Sequence, residues 1–195
     1  PKFSNFYRPY GEYMTVNLLP MGTFALADLA AQKGYKTRIL HLGLEWIEHQ
    51  VSSPSVFMKD KEVKVVAIPL HFHQQSYDAM RIAKVIKQER PSTFILSGGF
   101  TASFFHREIL SSFSQIDAII RGDAEVPLIE LLKALKEKRS LEAIPNLTWR
   151  RDGEIRENPL TYVASEDDLD RSSDINLSLL HNKETYIHYI GMPFV

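Results

Sequence analysis

STFILSGGFTASFFHREILSSFSQIDAIIRGDAEVPLIELLKAL, residues 92–135, decides how the rest of the chain is read. Phe94-Ile95-Leu96 is an apolar run of the kind a strand buried on both faces needs. It stops at Ser97-Gly98-Gly99, where two residues without Cβ allow a sharp turn or a close approach by a ligand. Thr101 then stands where its hydroxyl could cap a helix over about residues 101–112. A second strand, residues 117–120, ends in a second turn, Arg121-Gly122-Asp123. Asp123 and Glu125 open the next helix, where carboxylates suit the macrodipole, and Leu128, Ile129, Leu131, Leu132 and Leu135 give it a broad apolar stripe. The order is strand, glycine turn, helix, twice over. Such units build parallel sheets whose ligands lie outside the carboxyl ends of the strands.

Outward from this stretch the alternation continues. Residues 63–70, VKVVAIPL, form a continuous β-branched strand, His71-Phe72-His73-Gln74-Gln75 the loop after it, and residues 76–89 a helix closing before Pro91. Further back, residues 13–19 read as a first strand ending at Pro20-Met21-Gly22, and a helix over residues 23–33 stops at Gly34. Residues 34–42 are the turn and second strand, reached by a right-handed crossover. Residues 43–61 are less regular, with a short helix carrying Leu44, Trp46 and Ile47, and residues 1–11 are an irregular lead-in. Downstream, residues 144–150 and 154–157 flank Arg151-Asp152-Gly153, a hairpin signal, and Asn158-Pro159 closes the unit. In residues 161–195 an acidic exposed stretch, a short helix over 175–180 and an extended piece over 185–190 read as a linker.

The ordered set LSGGFTAS, IDAIIRGDAE, PLIELLKAL and the hairpin NLTWRRDG resembles the cobalamin-binding domain that precedes the catalytic domain of many radical S-adenosylmethionine enzymes. That family carries a Gly-Gly turn after its fourth strand and Arg-Gly-Glu-x-Glu after its fifth; Arg121-Gly122-Asp123-Ala124-Glu125 matches with Asp in place of the first Glu. The resemblance covers about residues 12–160. It implies cobalamin at the carboxyl edge of the sheet and a following domain that binds S-adenosylmethionine and a 4Fe–4S cluster. This chain of 195 residues has no cysteine, hence no Cys-x-x-x-Cys-x-x-Cys cluster loop and no disulfide. The expectation is an N-terminal fragment of a longer enzyme, itself not catalytic.

A formal net charge of −1 gives no electrostatic case for nucleic acid or an anionic membrane, and no apolar run approaches the length of a membrane span. The cytoplasm is the default. With 44% hydrophobic and 24% charged residues, the composition is that of a globular domain with an ample core.

Four loops, residues 20–23, 71–74, 97–101 and 121–125, should gather at the carboxyl edge. The candidate cofactor contacts are Pro20, Gly22, His71, Phe72, Ser97, Gly98, Gly99, Phe100, Thr101, Gly122, Asp123 and Glu125. Gly98, Gly99 and Gly122 would give a flat corrin room, or merely satisfy turn geometry; Ser97 and Thr101 would supply hydroxyls. Arg121, Asp123 and Glu125 are either part of the site or a salt-bridged helix entrance. His71 and His73, two apart, share a face of an extended segment but find no obvious third metal ligand, so no metal site is assigned. The Asp-x-His-x-x-Gly motif of classical cobalamin mutases is absent, which argues against a histidine below the cobalt. No Ser-His-Asp order, Walker loop or Gly-x-Gly-x-x-Gly fingerprint is present, and Trp46 and Trp149 read as packing residues.

The fold expected is α/β: an open, doubly wound parallel sheet of about five strands, flavodoxin-like or Rossmann-like, with a C-terminal hairpin. Its domains are residues 12–143, the hairpin 144–160 and the linker 161–195. The function expected is to hold cobalamin for radical chemistry, such as methyl transfer, in the following domain. Two alternatives stay open: a module of the same fold used for substrate binding or interdomain packing without cobalamin, and a free-standing flavin or small-ligand protein.

Overall fold

The computed structural model describes residues 21–49, 54, 58, 62–170 and 176–190. The expected first strand and Pro20 lie outside them. The chain divides into two units, residues 1–59 with 173–195, and residues 60–172.

The second unit holds the sheet. Strands β1 (Val65–Pro69), β2 (Phe94–Gly98) and β3 (Ala118–Ile120) run parallel, and β4 (Leu147–Arg151) and β5 (Glu154–Glu157) are added antiparallel, in the order β1-β2-β3-β4-β5. The α/β class and the hairpin stand as expected. Three of the five expected parallel strands are here; the other two members of the sheet are the hairpin strands, β4 pairing with β3 and β5 with β4. β2 and β3 are buried along their centres, as their apolar runs require. β1 is less covered, with Ala67 and Pro69 exposed, and β2 is its strand neighbour among the described residues.

Between the strands lie α3 (Ser76–Glu89), α4 (Phe100–Phe104), α5 (His106–Ser112) and, after β3, α6 (Glu125–Glu137). The helix expected over 76–89 has those bounds, with Ala79, Ala83 and Ile86 buried. The helix expected over 101–112 is instead two helices broken at Phe105, whose φ of −105° and ψ of 27° leave helical geometry. α6 ends on Lys138 in the left-handed region (φ 55°), with Arg139 N–H donating to Ala134 O at 2.9 Å.

In the first unit α1 (Met21–Gln32) ends where Gly34 was expected to stop it. At φ 85° its N–H donates to Ala31 O (2.9 Å) while that of Tyr35 reaches Ala30 O (3.1 Å), the paired bonds of a Schellman end. Helix α2 (Leu42–His49) follows. The strand expected over 34–42 is not formed; Ile39 makes a single parallel bridge to Leu180. Residues 176–190, read from sequence as linker, hold a 3-10 turn Leu177–Leu179 and α8 (Lys183–Ile190), so the piece expected as extended is helical. Leu180 and Tyr186 are buried in a cluster with Phe24, Ile39 and Leu44. That apolar burial makes these residues part of the unit rather than a solvated spacer. The carboxylate of Glu45, wholly buried there, lies 2.5 Å from His181 Nδ1 and accepts from Asn182 Nδ2 at 2.8 Å. Among the described residues no helix is long and apolar enough to cross a membrane.

Candidate functional site at the carboxyl edge

The carboxyl ends of β1, β2 and β3 come side by side, because Pro69 is level with Gly98 and Gly98 with Ile120. Beyond β1, Leu70 N–H still reaches Gly98 O (2.8 Å). Gly99 follows at φ 100°, ψ 176°, in a region L side chains rarely enter. A Cβ there would stand 2.9 Å from Leu70 O and 3.1 Å from His71 Nδ1. The loop after β1 fills that space, so the turn reading of Gly99 accounts for its glycine without a ligand.

Thr101 does not cap α4; Gly99 occupies the N-cap position with no side-chain bond. The Thr101 hydroxyl instead donates to His71 O (2.9 Å), and Ala102 N–H reaches Leu70 O (3.2 Å). Both bonds clamp the start of α4 to the loop after β1. Ser97 is 1% exposed and donates to Ile68 O at 2.9 Å, tying β2 to β1 from inside the sheet. The ring of His71 meets Phe100 edge to face at 5.7 Å. Phe72, Phe100 and Phe104 are 61%, 80% and 78% exposed, an apolar concentration that a buried core would ordinarily absorb.

The third turn carries Arg121, Gly122 and Asp123. Arg121 is buried, and its guanidinium points to the hairpin: Nη1 pairs with Glu157 at 2.6 Å, Nη2 donates to Asn158 O and Nε to Asn146 O at 3.4 Å. The salt-bridged helix entrance considered from sequence is therefore not formed by Arg121 with Asp123 or Glu125; the guanidinium fastens β5 instead. Glu157 also pairs with Arg107, and nearby His106 shares a 3.0 Å hydrogen bond with Thr148. Burial holds the His106 imidazole below its ordinary pKa; Glu157 opposes that, and Arg121 and Arg107 add to it.

Gly122, at φ 67°, donates its N–H to Ser103 Oγ (3.0 Å) and has open space where a Cβ would project. Glu125 begins α6 and accepts from Ala124 N–H at 3.0 Å. Asp123 accepts at Oδ2 from Ala164 N–H (2.9 Å) and at its carbonyl from Asn146 Nδ2 (3.3 Å).

Of the candidate residues, the structure joins His71, Gly99, Phe100 and Thr101 by direct contact, with Ser97 and Gly98 in the strand beneath and Phe72 beside them. Gly122 is linked to them through Ser103. Gly22 lies in α1 of the other unit, with open space where a Cβ would project. Among the described residues no group of three acidic, His or Cys residues could hold a metal. Sequence reading gave no role to Ser103, Asn146 or the segment at Tyr162–Ala164; Ser103 ends the stretch LSGGFTAS and Asn146 begins NLTWRRDG, but their bonds, and the left-handed φ of Asn146 (62°), are visible only after folding.

A family model described as a B12 binding domain matches residues 8–132, well over half of the chain. The chain belongs to the B12 binding domain family. The resemblance drawn from the two turns is thereby borne out. This B12-binding domain is 32% identical over 83 residues to an uncharacterized methyltransferase of Pyrococcus horikoshii, covering 43% of the chain and 18% of that protein. It is 24% identical over 136 residues to the hopanoid C-3 methylase of Methylococcus capsulatus, covering 68% of the chain and 25% of the methylase. Against the anaerobic magnesium-protoporphyrin IX monomethyl ester cyclase of Synechocystis it is 30% identical over 77 residues, covering 40% of the chain and 15% of the cyclase. The chain thus spans a quarter or less of each.

Solved structures share its fold. The radical S-adenosylmethionine methyltransferase TsrM from Kitasatospora setae superposes with a TM-score of 0.64 at 18% identity, over 73% of this chain and 27% of that one. The cobalamin-dependent S-adenosylmethionine radical enzyme OxsB gives 0.60 at 18% identity, over 78% and 21%.

Proposed function

We propose that this chain binds cobalamin against the carboxyl edge of β1–β3 and holds it for a radical S-adenosylmethionine domain of a longer protein. The observation that carries the reading is the pairing of the Gly99 and Gly122 turns at one sheet edge, with open space at Gly122 and exposed phenylalanine rings at 72, 100 and 104. A corrin is broad, flat and largely apolar with amide arms at its rim, and these residues fit such a ligand: apolar rings for its face, turn backbone for its edge. The work of the protein residues is to bind, orient and exclude water; bound cobalamin supplies the group-carrier chemistry. Methyl transfer is the reaction class that the relatives' names favour, and the substrate belongs to the following domain. A reducing cytoplasmic setting goes with an iron–sulfur partner domain.

Titration of the purified chain with hydroxocobalamin tests this, read by co-elution in gel filtration and by the visible bands that report displacement of the benzimidazole base. Retention with the base displaced is expected. No retention at ~100 µM cobalamin, far weaker than a dedicated cofactor site, would leave a B12-type fold without its cofactor.

A further inference from the structure

After β5 the chain does not leave the domain. Asn146 N–H donates to Pro159 O at 2.9 Å, and the Asn146 side chain accepts from the N–H groups of Thr161 (3.0 Å) and Tyr162 (3.1 Å) while donating to Tyr162 O (2.8 Å). Asp123 takes the N–H of Ala164. Asp168 then accepts from Ser165 N–H (3.0 Å), Ser165 Oγ (2.7 Å) and the Tyr162 hydroxyl (3.1 Å), opening the short helix α7 (Glu166–Asp170). Burial, with the Asp168 hydrogen bond second, raises the Tyr162 phenol above its ordinary pKa. The main chain of Asn146 thus holds Pro159, and two side chains, those of Asn146 and Asp123, hold the backbone of residues 161–164. Its polar atoms turn inward, while Leu160 and Val163 stand 63% and 79% exposed. A solvated tail would have no reason for that inversion.

From this geometry we infer that residues 159–165 are a strap forming the β3-side rim of the cofactor edge, with Asp123 as its positioning residue. The Asp123 carboxylate serves the chain and not the ligand: it sets where Val163 stands relative to the open space at Gly122. This rests on the cobalamin reading above, and the test separates the two. The full chain and its Asp123→Ala and Asp123→Asn variants are compared by amide hydrogen exchange and by hydroxocobalamin titration. Loss of a charge-assisted bond should speed exchange at Ala164 in Asp123→Ala by about tenfold and weaken cobalamin binding by a similar factor. Asp123→Asn keeps an acceptor and should restore most of both. Val163→Asp, which leaves the anchor intact, should weaken cobalamin while Ala164 exchange stays at the wild-type rate.

Unchanged Ala164 exchange in Asp123→Ala would overturn the anchor. Faster exchange with unchanged affinity would overturn the rim. Failure of the wild-type chain to bind cobalamin would remove the function and the rim together, while the exchange arm would still report the anchor alone.

Discussion

A methyl group on Gly99 would stand 2.9 Å from Leu70 O on a residue that must keep φ near 100°; on Gly98 it would meet only Ile120 O at 3.5 Å. Gly99→Ala should therefore lower unfolding free energy by about 2–3 kcal/mol, the sum of left-handed strain and a backbone clash, and Gly98→Ala by under ~1 kcal/mol. Urea midpoints of the two variants check this; equal midpoints would show that the loop after β1 yields. Sequence displayed both glycines and the turn they make. It could not display which of them is crowded, because the crowding atoms belong to Leu70 and His71, nearly thirty residues earlier. The same distance hid Thr101: a hydroxyl at the start of a helix reads as a cap until a carbonyl from another loop arrives beside it.

The hairpin was legible because two adjacent residues decide it. Asp152 and Gly153 have φ of 52° and 83°, the two positive angles that a two-residue turn matching strand twist requires. Its place beside β3 was not legible, since that depends on bonds such as Arg150 N–H to Asp117 O and on the Arg121–Glu157 pair. Asn158 secures it: Oδ1 accepts from Trp149 Nε1 (3.2 Å), and Nδ2 donates to Leu141 O (2.7 Å) and Ile144 O (2.8 Å), all buried. Asn158→Ala leaves three buried polar groups without that partner, and the expected loss is about 3 kcal/mol. Tryptophan fluorescence should shift to the red during the same denaturant transition. A loss below ~1 kcal/mol would mean water replaces the amide without penalty. Helix boundaries divide in the same way: α3 kept its expected ends because Pro91 and its apolar stripe are local, whereas the break at Phe105 has no local signal such as Pro or Gly.

Over the whole molecule, the sequence read as one run of elements followed by a linker, and the structure returns residues 176–190 to the unit that holds 21–49. No periodicity announces a bond between Glu45 and His181, 136 positions apart. Glu45→Ala removes one side of a buried, hydrogen-bonded pair, a change that commonly costs about 3 kcal/mol. Its effect should be confined: amide exchange should quicken in residues 21–49 and 176–190 together and stay unchanged in β2 and β3. Quickening in the sheet as well would show that the two units unfold as one. Gly22 and the glycines of the sheet, equal in the sequence reading, belong to different units.

That boundary also fixes a timetable. Residues 60–172 are contiguous and can close as soon as they leave the ribosome, whereas Phe24, Ile39 and Leu44 must wait for Leu180 and Tyr186. At ordinary elongation speeds of roughly 5–20 residues per second, the wait is on the order of ten seconds. During it α1 carries an unfinished apolar face, so the nascent chain, rather than the finished protein, is where this design is most exposed to chaperones and proteases.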